Sequence, residues 1–495
     1  MKGIKVLLIY PYILERGEIP ISLTLFTAVL RKAGHRVKIF DCSQYTTETD
    51  LRSIKESICM FKAASPPPVI RPPKKNIENL DNDLVEVLTG FAPTIVGITV
   101  TSGSYPLGLA CSKIVKKHDA GIKVILGGIH STVCPEEVIT EESVDIVCIG
   151  EGEDALLELC EAIKNKKQIV GIRNLWVKDR HKSEVVYRNE LRPLKDLNTL
   201  PTQDLSDFHE YDFYRPLDGN MYRMVNTELS RGCIFKCSYC SNQYLQDLFQ
   251  GYGSYHRRKD PEVAVNQLKE IKERYGFNAV RFWDEDFTVF PLSYLSELAK
   301  LYRNEVGLPF VVYAGTRTIT EEKVRCLKEM GCITIAMAIE SGSHWVRKYI
   351  LNRDISDEEI IKKYDIVKRS GIRVSAYNMI GLPFETRKMV FDTIRLNRKV
   401  KPATSSVAVY MPYPKTCLSE IAQKYGLIKG TCDYNSVSSC IDSPYLSKDE
   451  IDGLVRTFAL YTKVPEELFP VLEKCEKDES LAKKLFPVLS QCAIE

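Results

Sequence analysis

The sequence predicts an α/β protein with two successive parallel sheets, the first doubly wound and the second a partial barrel, followed by a small helical tail. One reason is length, because 495 residues exceed what a single hydrophobic core usually supports. The other is that short apolar runs alternate with helical periodicity, before residue 165 and again after residue 227. Such alternation is typical of parallel strands with helices between them.

The composition is that of a globular protein and gives no sign of nucleic-acid binding, secretion or a membrane span. Hydrophobic residues make up 44% of the chain, and a net charge of +3 carries no signature of nucleic-acid binding. The apolar run at residues 6–10 is too short for a secretory signal, and no run is long enough to span a membrane. The 16 cysteines lack paired spacing outside one motif, which indicates a reducing compartment. We therefore expect a cytoplasmic protein.

Residues 1–165 predict the doubly wound sheet. The expected strands are residues 5–10, 36–41, 94–100, 123–128 and 145–150. Ligands of such sheets bind at the carboxyl ends of the strands, where small residues allow close approach of the backbone. The candidate binding residues at these ends are Thr101, Ser102, Gly127, Gly128, His130, Ser131, Gly150, Glu151 and Gly152. The pattern Gly-x-Gly-x-x-Gly is absent after the first strand, which disfavours a dinucleotide.

Residues 166–226 interrupt the alternation and are expected to link the two sheets. Two short runs, 171–178 and 183–188, predict a hairpin, and the stretch 191–214, rich in Pro, Asp and Leu, predicts an extended connector. The predicted domains are residues 1–165, 166–226 (linker), 227–425 and 426–495. The last of these should contain three helices, at residues 448–461, 466–475 and 481–489.

Residues 227–425 predict a partial barrel of the TIM type, with chemistry at the carboxyl ends of its strands. The expected strands are residues 279–284, 309–313, 332–339, 373–380 and 405–411. The candidate binding residues that follow them are Asp286, Arg317, Glu340, Ser341, Gly381 and Pro383. For Asp284 and Glu285 a helix cap or simple solvation is an equally good interpretation. Glu340 directly follows a mostly apolar strand, where an unpaired carboxylate would be costly.

The segment RGCIFKCSYC, residues 231–240, holds Cys233, Cys237 and Cys240. Three thiolates at this spacing can hold one corner of an iron–sulfur cube, whereas a cluster that only carries electrons normally takes four cysteines. One iron would stay open for a substrate or cofactor. The alternative is a structural zinc site with a distant fourth ligand, the nearest Cys or His being His256. The spacing favours the cluster, and the absence of a second such group predicts one cluster only.

This segment resembles the cluster motif of the radical S-adenosylmethionine (SAM) superfamily. The resemblance implies one [4Fe-4S] cluster, whose open iron binds SAM and whose electron cleaves SAM to a 5′-deoxyadenosyl radical. It implies that Tyr239 lies against the adenine and that Glu340, in the segment IESGS, contacts the amino acid part or ribose of SAM. Ile234 stands where many relatives have Pro. Further matches to SAM-binding positions are the segment DEDF at residues 284–287, Arg317, Gly381 and Pro383.

The first 165 residues resemble the cobalamin-binding domain that precedes many radical SAM domains. The match rests on LGGIHSTVCP, residues 126–135, and IGEGE, residues 149–153. The motif Asp-x-His-x-x-Gly, which supplies a histidine to cobalt in methionine synthase-like domains, is absent from this region. We therefore expect cobalamin to bind without a histidine on cobalt. His130 is interpreted as a residue of the pocket wall, with a turn-stabilising role as an equal alternative.

Together the two resemblances, over roughly residues 1–420, imply a cobalamin-dependent radical SAM enzyme and favour a methyltransferase. The substrate radical would take a methyl group from methylcobalamin, and a second SAM would restore it. A non-methylating radical reaction, such as an oxidative cyclisation, stays open, whereas the intact triad disfavours a cobalamin sensor. A reductant such as ferredoxin or flavodoxin is expected. The sequence indicates neither a catalytic acid or base nor the substrate, which could be a lipid, peptide, tetrapyrrole or other small molecule.

Overall fold

The computed structural model describes residues 3–13, 19–46, 74–179, 185–435 and 438–492. They form two compact units. The first contains the chain up to Tyr222 and the segment Phe249–Ser254, and the second contains Arg223–Leu248 and the chain from Tyr255 onward. Cys59 and residues 183 and 184 of the predicted hairpin lie outside the described residues.

The first unit is built on one large sheet. Its strands are β1 (Lys5–Tyr10), β2 (Arg36–Asp41), β3 (Ile95–Thr99), β4 (Lys123–Gly127), β5 (Ile146–Cys148), β6 (Leu175–Lys178) and β7 (Val186–Arg188). Its helices are α1 (Ile21–Lys32), α2 (Leu80–Phe91), α3 (Tyr105–His118), α4 (Ile129–Val133), α5 (Pro135–Thr140) and α6 (Glu153–Lys164). The strand order is β2-β1-β3-β4-β5-β6-β7, and the strands from β2 to β5 are parallel.

The strand order creates a switch point between β1 and β3. The chain adds β2 on one side of β1 and the later strands on the other. Val6, Leu7 and Leu8 are all buried, as expected of a parallel strand covered on both faces by helices. These features confirm the doubly wound sheet, and the carboxyl ends of its strands at the switch point are where such sheets bind ligands.

The predicted hairpin belongs to the first sheet. Strand β6 pairs antiparallel with β5, and β7 pairs antiparallel with β6. The two strands therefore extend the edge of the sheet and do not stand apart in a linker. Apolar periodicity identifies strands, but the edge with which they pair is decided by hydrogen bonds between residues far apart in sequence.

The second sheet is an open half-barrel. Its strands are β8 (Tyr214–Leu217), β9 (Asn220–Thr227), β10 (Ala279–Phe282), β11 (Phe310–Gly315), β12 (Cys332–Glu340), β13 (Arg373–Ile380) and β14 (Thr404–Val409). They are adjacent in chain order, and the pairs from β9 to β14 are parallel. The helices are α7 (Asn242–Leu248), α8 (Pro261–Tyr275), α9 (Leu292–Glu305), α10 (Glu321–Met330), α11 (Asp357–Arg369), α12 (Arg387–Val400), α13 (Cys417–Lys424), α14 (Lys448–Tyr461), α15 (Phe469–Lys477) and α16 (Glu479–Gln491). The predicted partial barrel is confirmed.

Strand β9 was not predicted, although it leads directly into the cysteine loop. Its first four residues are exposed or half-buried and only Met224 to Thr227 are buried. Because the strand begins with polar residues, its sequence lacks the apolar run that predicts a strand, and the sequence instead predicts a linker over residues 220–226.

The tail helices pack on the second unit. Helix α14 begins with a capping box in which Ser447 and Glu450 bond each other's backbone N–H groups. Phe458 and Leu472 lie in a hydrophobic cluster with residues of α12, and Arg387 of α12 makes a two-point ion pair with Glu476 at 2.8 and 2.9 Å. None of the helices in the described ranges combines the length and apolar character needed to cross a membrane.

Candidate functional site

The cysteine loop between β9 and α7 is fixed by its own contacts. Gly232 has a φ of 84°, and a Cβ there would lie 2.2 Å from the carbonyl oxygen of Tyr255. Gln246 of α7 donates from Nε2 to the carbonyls of Cys233 and Phe235, both at 2.9 Å. The loop conformation therefore depends on a glycine and on a side chain that returns from the following helix.

Each of the three cysteine sulfurs accepts a hydrogen bond from the protein. Such bonds, with burial, tune the reduction potential of iron–sulfur clusters. The donors are the Phe235 N–H to Cys233 at 3.4 Å, the Asn242 N–H and Nδ2 to Cys240 at 3.5 and 3.4 Å, and Arg353 Nη1 to Cys237 at 3.7 Å.

The three cysteine sulfurs do not all lie within 4.8 Å of one another, as the ligands of one zinc ion would. Ligand sulfurs of tetrahedral zinc, with Zn–S of about 2.3 Å, lie only about 3.8 Å apart. Among the described residues, the group of three potential ligands whose atoms all lie within 4.8 Å of one another is elsewhere, at His130, Cys134 and Glu137. Burial raises the pKa of Cys233 to about 12 and that of Cys240 to about 11, so binding a metal cluster would displace thiol protons.

Glu340 is presented by an irregular end of β12. The register with β13 shifts between Ala338 and Glu340, and Glu340 itself has a φ of 64°. For a residue with a side chain this left-handed conformation costs about 1–2 kcal/mol. Its Oε1 accepts a hydrogen bond from the Tyr239 hydroxyl at 2.7 Å and lies 3.9 Å from Arg353 Nη1. The strained backbone aims the carboxylate at the cysteine loop, which is a common property of functional positions.

Arg353 joins the carboxylate to the cysteine loop. It is 7% exposed, and besides Cys237 its Nη1 group donates to the Tyr239 hydroxyl at 3.5 Å. Burial acts to lower the pKa of Arg353, but Tyr239 and Glu340 raise it above its usual range. Sequence reasoning missed this residue, because it lies in an irregular loop, LNRD, whose pattern carries no signal.

Arg317 brings a second guanidinium group to the same loop. Its guanidinium carbon lies 4.0 Å from the centre of the Phe235 ring, a cation–π contact. Burial and the charge of Arg353 lower the pKa of Arg317. The structure thus brings together five of the predicted residues, Tyr239, Arg317, Glu340, Cys233 and Cys237, around Arg353.

Two carboxylates of the predicted acidic segment hold loops in place. Asp284 accepts hydrogen bonds from the N–H groups of Leu229 and Ser230 at 3.1 and 2.6 Å, and burial raises its pKa to about 7. Asp286 caps a short 3-10 helix by accepting from Thr288 and also accepts from Thr318 at 2.8 Å. Asp286, predicted as a binding residue, thus makes the contacts of a helix cap, whereas Asp284, for which a cap was an alternative, is buried and bonds the loop at Leu229 and Ser230.

Glu285, between these two carboxylates, is exposed and near the cysteine sulfurs. Its charge adds to the increase in pKa that burial causes at Cys233 and Cys240. It also bonds Asn242, the residue that donates to Cys240. An exposed carboxylate in this position can contact a ligand of the site without breaking a structural bond.

Ser341, Gly381 and Pro383 lie in tightly held turns. Ser341 is fully buried and accepts the Ser343 N–H at 3.2 Å. Gly381 has a φ of 75° and donates its N–H to Glu385 at 2.8 Å, and burial raises the pKa of Glu385 to about 8. Tyr239 packs against the hydrophobic cluster that contains Leu382, the residue between Gly381 and Pro383.

A row of three aromatic side chains, the outer two exposed and the central one half-buried, lies on the second sheet. The ring of Tyr313 is 5.0 Å from that of Trp283 and 6.0 Å from that of Tyr377. Trp283 is 36% and Tyr377 40% exposed. Ala336 and Ala338 of the intervening strand β12 pair with the two tyrosines and leave room for them to meet. Sequence reasoning missed this row, although alternation along each strand places side chains two residues apart on one face.

In the first unit, a narrow cavity of about 50 Å³ runs along the sheet at the switch point. Its wall includes side chains of α1 and α6 and also five glycines, which contribute backbone atoms because they have no side chain. These glycines are Gly97, Gly127, Gly128, Gly150 and Gly152. A cavity of this volume can hold only a small part of a ligand that binds at the strand ends.

Two of these glycines cannot carry a side chain. A Cβ on Gly128, whose φ is 93°, would lie 2.6 Å from the Val100 carbonyl oxygen. A Cβ on Gly150, whose φ is 74°, would lie 2.4 Å from the ring of Phe249. Thr132 joins the two turns, because its hydroxyl accepts from the Gly150 N–H at 2.9 Å and donates to the Gly128 carbonyl at 3.0 Å.

Other predicted residues of this edge stabilise the loops that surround the cavity. Their polar atoms are engaged within the unit: Thr101 with Ser104 (3.0 Å), Ser131 with the Gly127 carbonyl (3.2 Å), and Glu151 with the Lys195 N–H (3.0 Å). A ligand here would therefore be contacted mainly by backbone atoms.

His130 is nearly buried at the start of α4. Its Nδ1 lies 3.2 Å from the Ser102 hydroxyl, and its ring centre lies 4.2 Å from that of Tyr105. Burial lowers the pKa of His130 to about 4, so the ring is neutral at neutral pH. These contacts are those of a turn-stabilising residue, and direct contact with a cofactor stays a prediction.

Two family models match the chain, one in each unit. A family model described as the Radical SAM superfamily matches residues 227–396, and one described as a B12 binding domain matches residues 73–160. The chain is a cobalamin-dependent radical SAM enzyme. The predicted cofactors, one [4Fe-4S] cluster, SAM and cobalamin, are thereby confirmed. The expected absence of a histidine on cobalt and the individual ligand positions stay predictions.

Relatives with similar sequences are named for more than one activity. An uncharacterized methyltransferase of Pyrococcus horikoshii is 28% identical over 76% of this chain and 80% of its own length. A cytidylyl-2-hydroxyethylphosphonate methyltransferase of Streptomyces wedmorensis is 22% identical over 77% and 73%. An anaerobic magnesium-protoporphyrin IX monomethyl ester cyclase of Rubrivivax gelatinosus is 24% identical, over 71% of this chain and 62% of its own.

Solved structures share the fold over nearly the whole enzyme. The methyltransferase TsrM of Kitasatospora setae, with cobalamin and a [4Fe-4S] cluster, has a TM-score of 0.62, 15% identity and coverage of 94% of this chain and 86% of its own. The radical enzyme OxsB, with aqua-cobalamin and SAM, has a TM-score of 0.67, 15% identity and coverage of 99% and 71%. At this identity the likeness concerns the fold alone.

Proposed function

We propose that this enzyme transfers a methyl group from SAM, by way of cobalamin, to a substrate carbon after radical abstraction of hydrogen. The observation that carries the proposal is that one chain holds both a three-cysteine loop with a buried carboxylate and a glycine-lined cavity at a sheet switch point. When bound, the cluster supplies the electron that cleaves SAM and cobalamin carries the methyl group. Relatives named as methyltransferases support the proposal.

Glu340 is proposed to hold SAM, and Tyr239 and Arg353 are proposed to hold its carboxylate in position. Glu340 has a second carboxylate oxygen that can accept from the ammonium or a ribose hydroxyl, while its Oε1 is engaged by Tyr239. Arg353 Nη1 lies 3.9 Å from that carboxylate and also bonds Cys237. A charged group fixed in this way by neighbours does not have to reorganise when the ligand arrives, which strengthens binding.

The two arginines are also proposed to tune the cluster. Cysteine thiolates carry negative charge, and the guanidinium groups of Arg353 and Arg317 lie beside the loop that bears them. Positive charge and hydrogen bonds at the sulfurs favour the reduced cluster and raise its potential. The protein would thereby set how strong a reductant is required, and we propose a low-potential carrier such as ferredoxin or flavodoxin in the cytoplasm.

In the first unit the proposed cobalamin contacts are mostly backbone atoms. Gly127, Gly128 and Gly150 expose the backbone at the strand ends, and Thr132 fixes their relative position. The remaining contacts proposed for this edge are Thr101, Ser102, His130, Ser131, Glu151 and Gly152. A site of this kind binds by shape, so it tolerates loss of a polar atom better than gain of a methyl group.

The reaction outcome can be tested before the substrate is known. Methyl transfer consumes one SAM to form the radical and a second to methylate cobalamin. Anaerobically reconstituted and reduced enzyme should therefore form 5′-deoxyadenosine and also about one equivalent of S-adenosylhomocysteine per bound cobalamin. Enzyme reconstituted without cobalamin is the control and should form only deoxyadenosine. The cyclase relative favours a second candidate, a radical oxidation without methyl transfer. Deoxyadenosine without S-adenosylhomocysteine in the complete enzyme would favour that candidate.

A further inference from the structure

His130, Cys134 and Glu137 form a compact group of metal-binding side chains in the first unit. His130 is the second residue of α4, Cys134 lies between α4 and α5, and Glu137 is in α5, with the spacing His-x-x-x-Cys-x-x-Glu. One ligand atom of each lies within 4.8 Å of the other two. Imidazole nitrogen, thiolate sulfur and carboxylate oxygen are the three ligand types of zinc sites in proteins.

The imidazole has a nitrogen for which the described residues provide no hydrogen bond. His130 is 4% exposed, and its Nε2 has no bonding partner in the part of the chain that the structure describes. A buried polar atom left in this way destabilises the protein unless a ligand satisfies it. The Glu137 carboxylate is 3.8 Å from Nε2, beyond the length of a hydrogen bond but at the separation of two ligands of one ion.

The ring is held ready for coordination. The Ser102 hydroxyl lies 3.2 Å from Nδ1, and Tyr105 packs on the ring face. If Nδ1 carries the proton and donates to Ser102, Nε2 presents its lone pair to Glu137 and Cys134. A polar partner on the second nitrogen is the usual support of a metal-bound histidine. The Cys134 N–H donates to the His130 carbonyl at 2.8 Å, which fixes the turn between the two ligands.

We propose that His130 Nε2, Cys134 Sγ and a Glu137 oxygen bind a divalent ion of the zinc type. The ion takes three protein ligands and leaves a fourth position for water. Binding releases the thiol proton of Cys134 to solvent, and no electron is transferred. The site is separate from the cysteine loop and does not depend on methyl transfer. It engages both nitrogens of His130, one by Ser102 and one by the ion, so the imidazole is unavailable to cobalt.

Zinc-dependent protection of Cys134 tests the site. Enzyme that holds its cluster and cobalamin is treated with N-ethylmaleimide, with or without Zn²⁺, and each cysteine peptide is quantified by mass spectrometry. At ten times the dissociation constant, Zn²⁺ should slow alkylation of Cys134 about 11-fold, because only about one site in 11 is empty. Cys326, which is also partly exposed, is the internal control and should react at an unchanged rate.

Two variants distinguish the site from non-specific binding. Glu137→Gln replaces an exposed ligand and should weaken the protection of Cys134, whereas Glu136→Gln, next to it and also exposed, should leave the protection intact. Equal rates with and without Zn²⁺, or equal protection in both variants, would overturn the proposal.

Coordination can also be seen directly, on the background in which Cys233, Cys237 and Cys240 are all alanine. Co²⁺ should there give the thiolate-to-cobalt absorption of a bound cysteine, and Cys134→Ser should abolish it. If the absorption persists after Cys134→Ser, a different cysteine binds the ion and the assignment is wrong.

Discussion

Around the cysteine loop, the functional atoms belong to side chains that other side chains hold in place. Tyr239 bonds Glu340, and Arg353 bonds Tyr239 and Cys237. At the carboxyl edge of the first sheet, the surface is made by glycines, and the polar side chains nearby are engaged in their own loops. The cysteine-loop site should therefore fail when a functional group is removed, and the glycine-lined edge of the first sheet should fail when an atom is added.

The largest effect is expected at the cysteines. Replacing Cys233, Cys237 and Cys240 together by alanine should remove about four irons and all formation of 5′-deoxyadenosine, because these three thiolates are the proposed ligands of the cluster. Iron content and product formation under reducing, anaerobic conditions measure this. Cys326→Ala is the matched control and should keep both. SAM cleavage by the triple variant would contradict the role of the loop.

The next effect is expected at Glu340. Glu340→Gln keeps the shape of the side chain but removes the charge that Arg353 and Tyr239 hold in place. Loss of one charge-assisted hydrogen bond, about 1.5–3 kcal/mol, should weaken SAM binding roughly 10- to 150-fold. Equilibrium binding to the reconstituted enzyme gives the affinity, and Glu329→Gln, exposed on α10, is the control. An unchanged affinity would return Glu340 to a structural role.

A smaller effect is expected from adding a methyl group at the glycine-lined edge of the first sheet. Gly150→Ala and Gly171→Ala both place alanine at positive φ, but a Cβ meets a side chain only at Gly150, where Phe249 is 2.4 Å away. Both variants should lose about 1–2 kcal/mol of unfolding free energy from the backbone. Gly150→Ala should lose about 1–3 kcal/mol more from overpacking and should retain less cobalamin.

Adding Phe249→Ala separates the two contributions at Gly150. If the extra loss comes from the ring, the double variant should cost less than the sum of the two single variants in urea unfolding. Additive losses would mean that the Phe249 ring does not restrict the position.

No effect on the cobalt spectrum is expected from His130→Ala. The His130 ring is held by Ser102 and Tyr105 and is predicted not to ligate cobalt. Paramagnetic resonance of the bound cob(II)alamin form should lack a nitrogen splitting from the protein, in the wild type and in the variant alike. A splitting that the variant abolishes would make His130 the axial ligand and would contradict the inferred zinc site as well.

The sequence predicted most of what depends on local patterns. The observed strands β1, β2 and β13 have the predicted bounds, because apolar runs between turn signals define buried strands. Glu340 was identified from an acid directly after an apolar strand, and the structure places its carboxylate beside the cysteine loop.

Features that depend on distant contacts could not be predicted in this way. Arg353 meets Glu340 and Cys237 only because an irregular loop folds back, and no periodicity marks it. The pairing of β6 with β5 likewise depends on which edge is free. The strained φ of Glu340 is imposed by a change of register between two strands, which a single sequence does not encode visibly.

Because the segment Phe249–Ser254 belongs to the first unit, this unit is formed by two stretches that are separate in the sequence. The Phe249 ring covers Gly150, and the carbonyl of Tyr252 accepts the Leu194 N–H at 2.8 Å. The segment makes these contacts although it follows the cysteine loop in the chain. A fragment that stops at residue 222 would lack these contacts and expose the apolar surface under Phe249. Expression of this half alone would need residues 249–254 grafted back, and recombination could not exchange it as one contiguous block.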